Sequence, residues 1–333
     1  MQIGLQKHRA ASYFLVSVST RLNLDLCIRH GLAGFPSSPG GAWTFEEIQE
    51  GDFVSFLYGA KAHNLYRVAK REAIRGAHAL LPWPVITSRE SQKTYYFPFR
   101  LVLEPTRQFT ESLVRQEFAY VAENLLLRGG YRKTHFQADQ TTLQSASQLG
   151  ELAGGKVERL TLSPYETFVP KYSAKKEEIK IPEVMPFTEL ILQAAIRLHL
   201  CNEANLASFL SMFGIQELAA ASLEALGEKA LLRGHIDILL KERVPVGSAL
   251  TIPIEVKSRA AQQKDVAQLA SYVEELGPEC AGAALVAAKF GKATIRQASS
   301  QGIKLVRYTL DVDLSSPVAF GAICRGLSLQ AVL

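Results

Sequence analysis

Apolar and polar residues alternate in short stretches through the first 105 residues of the chain. A period of two places successive side chains on opposite faces, as in a half-buried strand. Stretches at 13–18, 52–58, 64–68 and 96–103 predict strands with Gly-, Pro- and Ser-containing turns between them. Thr44, followed three residues later by Glu47, predicts the N-cap of a short helix. Such strands and turns are typical of a small β-barrel.

The pattern changes further along the chain. Helical periodicity predicts helices over 187–200, 203–213, 215–228, 264–276 and 293–300, and strands are predicted at 235–240, 250–256, 282–288 and 304–308. Strands that alternate with helices indicate an α/β sheet with covered faces.

Two segments connect these halves. Thr110 caps a helical pattern over 110–130, and the charged segment 171–183, poor in large apolar residues, predicts an exposed linker. We therefore expect an α+β chain of two domains, at 1–109 and 186–333. A helical connector and charged linker at 110–185 would join them.

Composition narrows the class of protein. Of 333 residues, 47% are hydrophobic and 21% are charged, which is ordinary for a globular chain. No apolar run approaches the roughly 20 residues that cross a bilayer, and no signal peptide is recognised, so we expect no membrane association. The four cysteines lie far apart without a Cys-x-x-Cys pair, which favours reduced thiols in a cytoplasmic protein.

Charge is distributed unevenly along the chain. The formal net charge is +5, with +4 in residues 1–105 and −1 in residues 181–333. An excess of Lys and Arg in the first half suits contacts with a phosphate backbone. A slightly acidic second half is compatible with carboxylates that hold a metal ion.

Three ionisable residues stand out in the predicted strands of the second half. Asp237 interrupts a strand of buried-type residues, and Glu255 and Lys257 are two apart on the next strand, so both project from one face. A loop at 245–247 lets the two strands pair as a hairpin, which would bring all three side chains together. In the simpler alternative, Asp237 ends a strand and the other two form a solvated pair.

Two carboxylates and a lysine suit phosphodiester hydrolysis. Asp237 and Glu255 would supply oxygen ligands for Mg²⁺, with Mn²⁺ as an alternative ion. The metal would polarise a phosphoryl oxygen and activate a water. Lys257 would orient that water or stabilise the charge that develops on phosphorus.

The motifs of the second half resemble the PD-(D/E)XK nuclease fold, a fold with a central mixed sheet. The resemblance rests on Gly-His-Ile-Asp-Ile at 234–238, Pro-Ile-Glu-Val-Lys-Ser at 253–258, and Gln268 with Tyr272 on the following helix. Over about residues 186–310 they are most similar to the RecB-like and NucS/EndoMS branch. The resemblance implies that Gln268 and Tyr272 face the active site or DNA, and that Glu189 joins the catalytic set. The Pro-Asp dipeptide is absent, because Ile236 precedes Asp237.

The first half resembles the EVE domain of the PUA-like group over about residues 10–105. Its strand order and the segments around Trp83 and at 96–100 carry this resemblance. Such domains are implied to bind a modified or flipped base in an aromatic pocket. Flat walls for stacking are available from Trp43, Trp83, Phe35, Tyr58 and Tyr95, and Ser17 could bond a base edge. Each aromatic side chain has core packing as its alternative.

The combination of a domain that would bind a modified base with a nuclease domain predicts a modification-dependent restriction endonuclease. It would bind DNA that carries a modified base, cleave nearby with Mg²⁺, and act as a homodimer, since double-strand cleavage needs two active sites. The sequence leaves two alternatives open: a NucS-like repair endonuclease for mismatched or branched DNA, and a non-catalytic nucleic-acid-binding protein.

Overall fold

The computed structural model describes residues 9–59, 61–76, 81–87, 94–111, 134–154, 157–160, 164–181, 183–215, 218–231, 234–244 and 248–332. Within them the protein is a mixed α/β chain with several sheets. Nearly all of the predicted helix at 110–130 lies outside the described residues. None of the described helices is long and apolar enough to cross a membrane.

The first half is built around one large mixed sheet. Its elements are β1 (Tyr13–Ser17), α1 (Arg21–His30), β2 (Leu32–Phe35), α2 (Pro39–Glu47), β3 (Phe53–Tyr58), β4 (Lys61–Ile74), β5 (Ile86–Thr87), β6 (Thr94–Tyr95), β7 (Phe99–Gln108), β8 (His135–Ala138), α3 (Gln140–Ser147), β9 (Glu151–Leu152) and β10 (Thr167–Phe168). The strand order is β2-β7-β4-β3-β1-β8, with β10 paired to β4 and β9 to β7, while β5 and β6 pair separately. The described pairings form an open path, and no pairing between β2 and β8 closes a barrel.

Helix α2 differs from the sequence expectation at its start. Thr44 is not the N-cap; it lies inside the helix and is fully buried. The cap is Ser38, whose hydroxyl accepts the Gly41 N–H at 3.1 Å, and Pro39 follows it at the first helical position. Proline suits that position because its missing N–H has no intrahelical partner there.

The charged segment at 171–183 is only partly an exposed linker. Residues Lys171–Ser173 form β11, which pairs with β12 (Val184–Pro186) and with β18 (Val318–Ala319). Tyr172 is fully buried, and its hydroxyl donates to Glu46 of α2 at 3.0 Å. The buried Tyr172 ring and its hydrogen bond to Glu46 fix this end of the segment. The sequence did not predict this, because Lys and Glu residues predominate around Tyr172.

The second half is built around a six-stranded sheet in the order β13-β14-β15-β16-β17-β19. Its elements are α4 (Glu189–Leu200), α5 (Glu203–Ser211), β13 (Leu223–Leu231), β14 (Gly234–Glu242), β15 (Thr251–Lys257), α6 (Gln263–Leu276), β16 (Ala284–Ala287), α7 (Lys292–Ser300), β17 (Lys304–Leu310), α8 (Phe320–Gly326) and β19 (Leu327–Ala331). Short 3₁₀ turns occupy Glu178–Lys180, Ala220–Ser222 and Gly277–Glu279. Strands β13, β14 and β15 are antiparallel, and β15, β16 and β17 are parallel.

The predicted helix at 215–228 is wrong from Leu223 onwards, where β13 begins. This stretch is rich in Ala, Leu and Glu, which favour helices in isolation. In the fold it pairs with β14 from Leu223–Glu242 to Leu231–Gly234, because an edge position beside β14 is available. Tertiary pairing outweighs a difference in propensity that amounts to tenths of a kcal/mol per residue.

One hydrophobic core runs through both halves. It includes Phe14 and Trp43 of the first half together with Ile196 of α4 and Ile254 of β15. A second cluster under α6 and α7 contains Tyr272 and Leu285. Helix α4 packs between α2 and the second sheet, and β8 of the first half packs against β13 of the second, so the halves meet at both places.

Candidate active site

Asp237 lies where the pairing of β14 and β15 comes to an end. The ladder runs from Lys241–Thr251 to Ile238–Ile254 and stops short of Asp237. At this point a side chain replaces the backbone as hydrogen-bond acceptor, because Asp237 Oδ2 accepts the Val256 N–H at 2.7 Å. The strands therefore part at the position where a carboxylate enters between them.

Lys257 lies among three carboxylates. Its Nζ is 2.7 Å from Glu255 Oε1, 3.3 Å from Glu189 Oε1 and 4.0 Å from Asp237 Oδ2. The residue is 9% exposed and Glu255 is 1% exposed, so these charges are largely removed from water. The structure thus brings together four of the residues singled out in the sequence.

Glu189 is the first residue of α4, and Thr188 occupies the N-cap position. A carboxylate in the first helical turn is favoured by the helix dipole. Glu189 Oε2 also accepts the Ser258 N–H at 2.9 Å and lies 3.3 Å from the Ser258 hydroxyl. It therefore contacts both the lysine and the loop that follows β15.

The charges in this cluster perturb one another. Burial and the nearby Glu255 carboxylate raise the pKa of Asp237 well above its usual range. Burial also raises the pKa of Glu255. Burial alone would lower the pKa of Lys257, but Asp237 and Glu255 outweigh it and raise that pKa. The lysine is held as a cation, and the carboxylates outnumber it.

Gln268 and Tyr272 of α6 are joined to each other. Gln268 Nε2 donates to Tyr272 Oη at 2.7 Å. The Tyr272 hydroxyl lies against Gly234, the first residue of β14, where an added Cβ would be 2.3 Å from it. Gln268 is exposed and Tyr272 is buried, so this pair connects the surface of α6 with the strand of Asp237.

The donor set fits a divalent ion held by few protein ligands. No three of the described His, Cys, Asp and Glu side chains form a metal cluster by themselves. Mg²⁺ is often held by one or two carboxylates, with water and substrate phosphate completing its shell. Glu255 Oε2 is buried without a hydrogen-bond partner, so this oxygen is available as a ligand.

Sequence reasoning assigns no role to Ser258 or Tyr308. Ser258 contacts Glu189 as above, and Tyr308 of β17 donates to the Ser258 carbonyl at 3.1 Å. No spacing rule connects Tyr308 with Ser258, because 50 residues separate them and only the parallel order of β15, β16 and β17 brings them close.

The aromatic residues predicted for a base pocket lie mainly in the core. Trp43, Trp83 and Phe35 are 3%, 8% and 2% exposed, and Tyr58 and Ser17 are half-buried. Trp43 packs on the His135 ring with centroids 4.4 Å apart, and Trp83 covers Gly34. The side chain of Tyr95 lies outside the described residues. Stacking of a base on these side chains stays a prediction.

A buried charge cluster lies where α2 meets α4. Arg197 Nε donates to Glu47 Oε1 at 2.6 Å, and its Nη2 donates to the Glu47 carbonyl at 2.8 Å. The second oxygen of Glu47 lies 3.1 Å from His135 Nε2. All three side chains are almost inaccessible, so the helix that begins at Glu189 is held to the first half by a desolvated ion pair.

Comparisons with known proteins give local similarity to endonucleases. No protein-family model and no curated protein matches the chain. A structure of EndoMS with double-stranded DNA is 27% identical over 31% of this chain and 42% of its own, with a TM-score of 0.22. A repair endonuclease from Pyrococcus abyssi is 20% identical over 31% and 45% of the two chains, with a TM-score of 0.23.

A DNA modification-dependent restriction endonuclease, AspBHI, is 14% identical over 82% of this chain and 62% of its own, with a TM-score of 0.21. The similarity spans less than half the length of the EndoMS and Pyrococcus abyssi chains. TM-scores this low do not establish a common fold.

Proposed function

We propose that the protein is a metal-dependent DNA endonuclease whose hydrolytic site is formed by Asp237, Glu255, Lys257 and Glu189. The observation that carries this proposal is the position of Lys257 Nζ, 2.7 Å from Glu255 and 3.3 Å from Glu189 in a largely buried site. Carboxylates on strand ends beside a lysine are the groups that phosphodiester hydrolysis requires.

Asp237 and Glu255 would hold Mg²⁺, or Mn²⁺ in its place. The ion supplies polarisation of the phosphoryl oxygen and activation of water. Lys257 would orient the attacking water and offset negative charge on the scissile phosphate. Glu189 would restrain Lys257 and the loop at Ser258, and Gln268 with Tyr272 would present α6 toward the DNA backbone.

The first half would serve as the reader of a modified base, in the manner of EVE and other PUA-like domains. Its excess of Lys and Arg suits the DNA backbone. Its described strands form an open sheet, so a pocket would have to lie at an edge or between the helices and the sheet. The protein would act as a homodimer and function as a modification-dependent restriction endonuclease.

The test is cleavage of matched duplexes in Mg²⁺, carrying unmodified, methylated, hydroxymethylated or mismatched bases, together with a branched substrate. We expect cleavage of a modified duplex alone, and loss of more than about 10³-fold in rate for Asp237→Asn and Lys257→Met, since both would remove charge from the reacting centre. Binding of modified DNA by the two variants should stay within a few-fold of wild type.

Glu151→Gln is the matched control, because Glu151 is exposed on β9 in the other sheet. Cleavage of mismatched or branched DNA alone would replace the restriction function by a repair function. Cleavage by Lys257→Met at the wild-type rate would contradict the site itself. Binding without cleavage of any substrate would indicate a non-catalytic protein.

A further inference from the structure

Glu228 has an unusual backbone for a residue inside a strand. Its φ is +52°, in the left-handed region, although it lies in the middle of β13. Residues other than Gly and Asn rarely adopt this conformation, and where they do the surrounding structure enforces it. Glycine or asparagine would adopt this backbone conformation more readily than glutamate does. The glutamate at this position is therefore better explained by a role of its carboxylate.

Contacts from the first half hold the chain on the N-terminal side of Glu228. The Gln137 amide of β8 donates to the Ala225 carbonyl at 3.2 Å and accepts the Gly227 N–H at 2.9 Å. Gly227 lies against Glu47, where an added Cβ would be 2.8 Å from Glu47 Oε1. The chain is therefore fixed at Gly227, and the next residue takes the left-handed conformation.

The register places Glu228 beside Asp237. Gly227 pairs with Ile238 and Lys229 pairs with Ile236, so Glu228 is opposite Asp237 across the two strands. The acidic centre thus extends beyond the hairpin of β14 and β15.

We propose that Glu228 is a further carboxylate of the metal site, which binds the hydrated divalent ion held by Asp237 and Glu255 through its water shell. No three described carboxylates converge as direct ligands, and Mg²⁺ and Mn²⁺ sites commonly retain several waters. A carboxylate opposite Asp237 can accept hydrogen bonds from such waters. This inference rests on the proposed function, since it assigns Glu228 to the same metal site.

The test is calorimetric titration of the full chain with Mn²⁺ alone, without DNA. Glu228→Asn and Glu228→Gly both tolerate a positive φ, so they remove the carboxylate without adding backbone strain. We expect each to weaken Mn²⁺ binding about tenfold, as is usual when a partner of the first ligand shell is lost. Thermal midpoints should not fall, and Glu151→Gln should bind as wild type does.

The possible results distinguish the role of Glu228 from the existence of the metal site at Asp237 and Glu255. If Glu228→Asn and Glu228→Gly bind Mn²⁺ as the unchanged chain does, while Asp237→Ala loses binding, Glu228 has only a backbone role and this inference is wrong, but the proposed metal site stands. If the unchanged chain binds no Mn²⁺, the proposed site fails and the inference fails with it.

Discussion

At the scale of single residues, Tyr272 leaves no space for a side chain at position 234. The Tyr272 ring is 2% exposed and its hydroxyl meets the backbone of Gly234, three residues before Asp237. A side chain at 234 would have to displace a ring that is packed under α6. The glycine therefore sets the distance between α6 and the strand that carries Asp237.

Gly234→Ala is expected to destabilise the protein by about 1–3 kcal/mol, the usual cost of overpacking. Cleavage should fall as well, because α6 would shift relative to Asp237. Chemical denaturation measures the first effect, and cleavage of the preferred duplex measures the second. The double variant with Tyr272→Phe should recover part of the stability, since the hydroxyl that lies 2.3 Å from the added Cβ is gone. Wild-type stability for Gly234→Ala alone would contradict this packing.

At the scale of elements, α4 links the charge cluster around Lys257 with the buried charge cluster at α2. Its first residue, Glu189, contacts Lys257, and Arg197 near its other end is buried against Glu47 of α2. Arg197 keeps the pKa of Glu47 below its usual range, although burial acts in the opposite direction. The position of α2 therefore constrains the position of Glu189, the carboxylate beside Lys257.

Arg197→Met is expected to cost about 3–5 kcal/mol of stability, because it leaves the buried Glu47 carboxylate without its main partner. The double variant Glu47→Gln, Arg197→Met should lose less than the sum of the two single variants, since no buried charge is then left unpaired. Urea unfolding at neutral pH gives all four values of the cycle. Additive losses would show that the two side chains do not act as a pair.

The sequence predicts those strands and helices whose own pattern of apolar residues reflects how they are buried. Strand β15 is buried along its whole length, so its apolar residues identify it. The two-residue spacing of Glu255 and Lys257 predicts that their side chains lie close together, as they do. Strand β13 is missed because its Ala, Leu and Glu residues favour a helix until β14 offers a partner. The positions of Glu228 and Tyr308 could not be predicted for a related reason: only the order and register of the strands bring Glu228 next to Asp237 and Tyr308 next to Ser258.

At the scale of the whole molecule, the halves share polar contacts as well as a core. Glu224 of β13 is 6% exposed, and its Oε2 accepts the Gln140 N–H at the start of α3. Its other oxygen, Oε1, is buried without a hydrogen-bond partner. Burial raises the pKa of Glu224 to about 7, the Asp139 carboxylate adds to this, and Lys241 and Arg243 oppose it. The junction therefore contains a carboxyl group that keeps its proton to a higher pH than an ordinary glutamic acid does.

This raised pKa predicts a pH dependence of stability. Between the ordinary value of 4.5 and about 7, the folded protein binds the Glu224 proton more tightly than the unfolded chain does. Stability from this group is therefore present below pH 4.5 and is lost as the pH rises through 7. Glu224→Gln should match wild type near pH 4 and exceed it by at most about 3 kcal/mol at pH 8. Parallel urea titrations at the two pH values measure this, and an equal difference at both would contradict it.

The buried pair of Glu47 and Arg197 has a consequence for modularity. A second half with this α4 cannot be joined to an unrelated N-terminal module through a simple linker, because Arg197 would then be buried without its counter-ion or exposed with the apolar face around it. An exchanged module must supply a carboxylate in place of Glu47. An exchange of the first half is therefore constrained by one buried ion pair, and chimaeras that preserve it are the ones to make first.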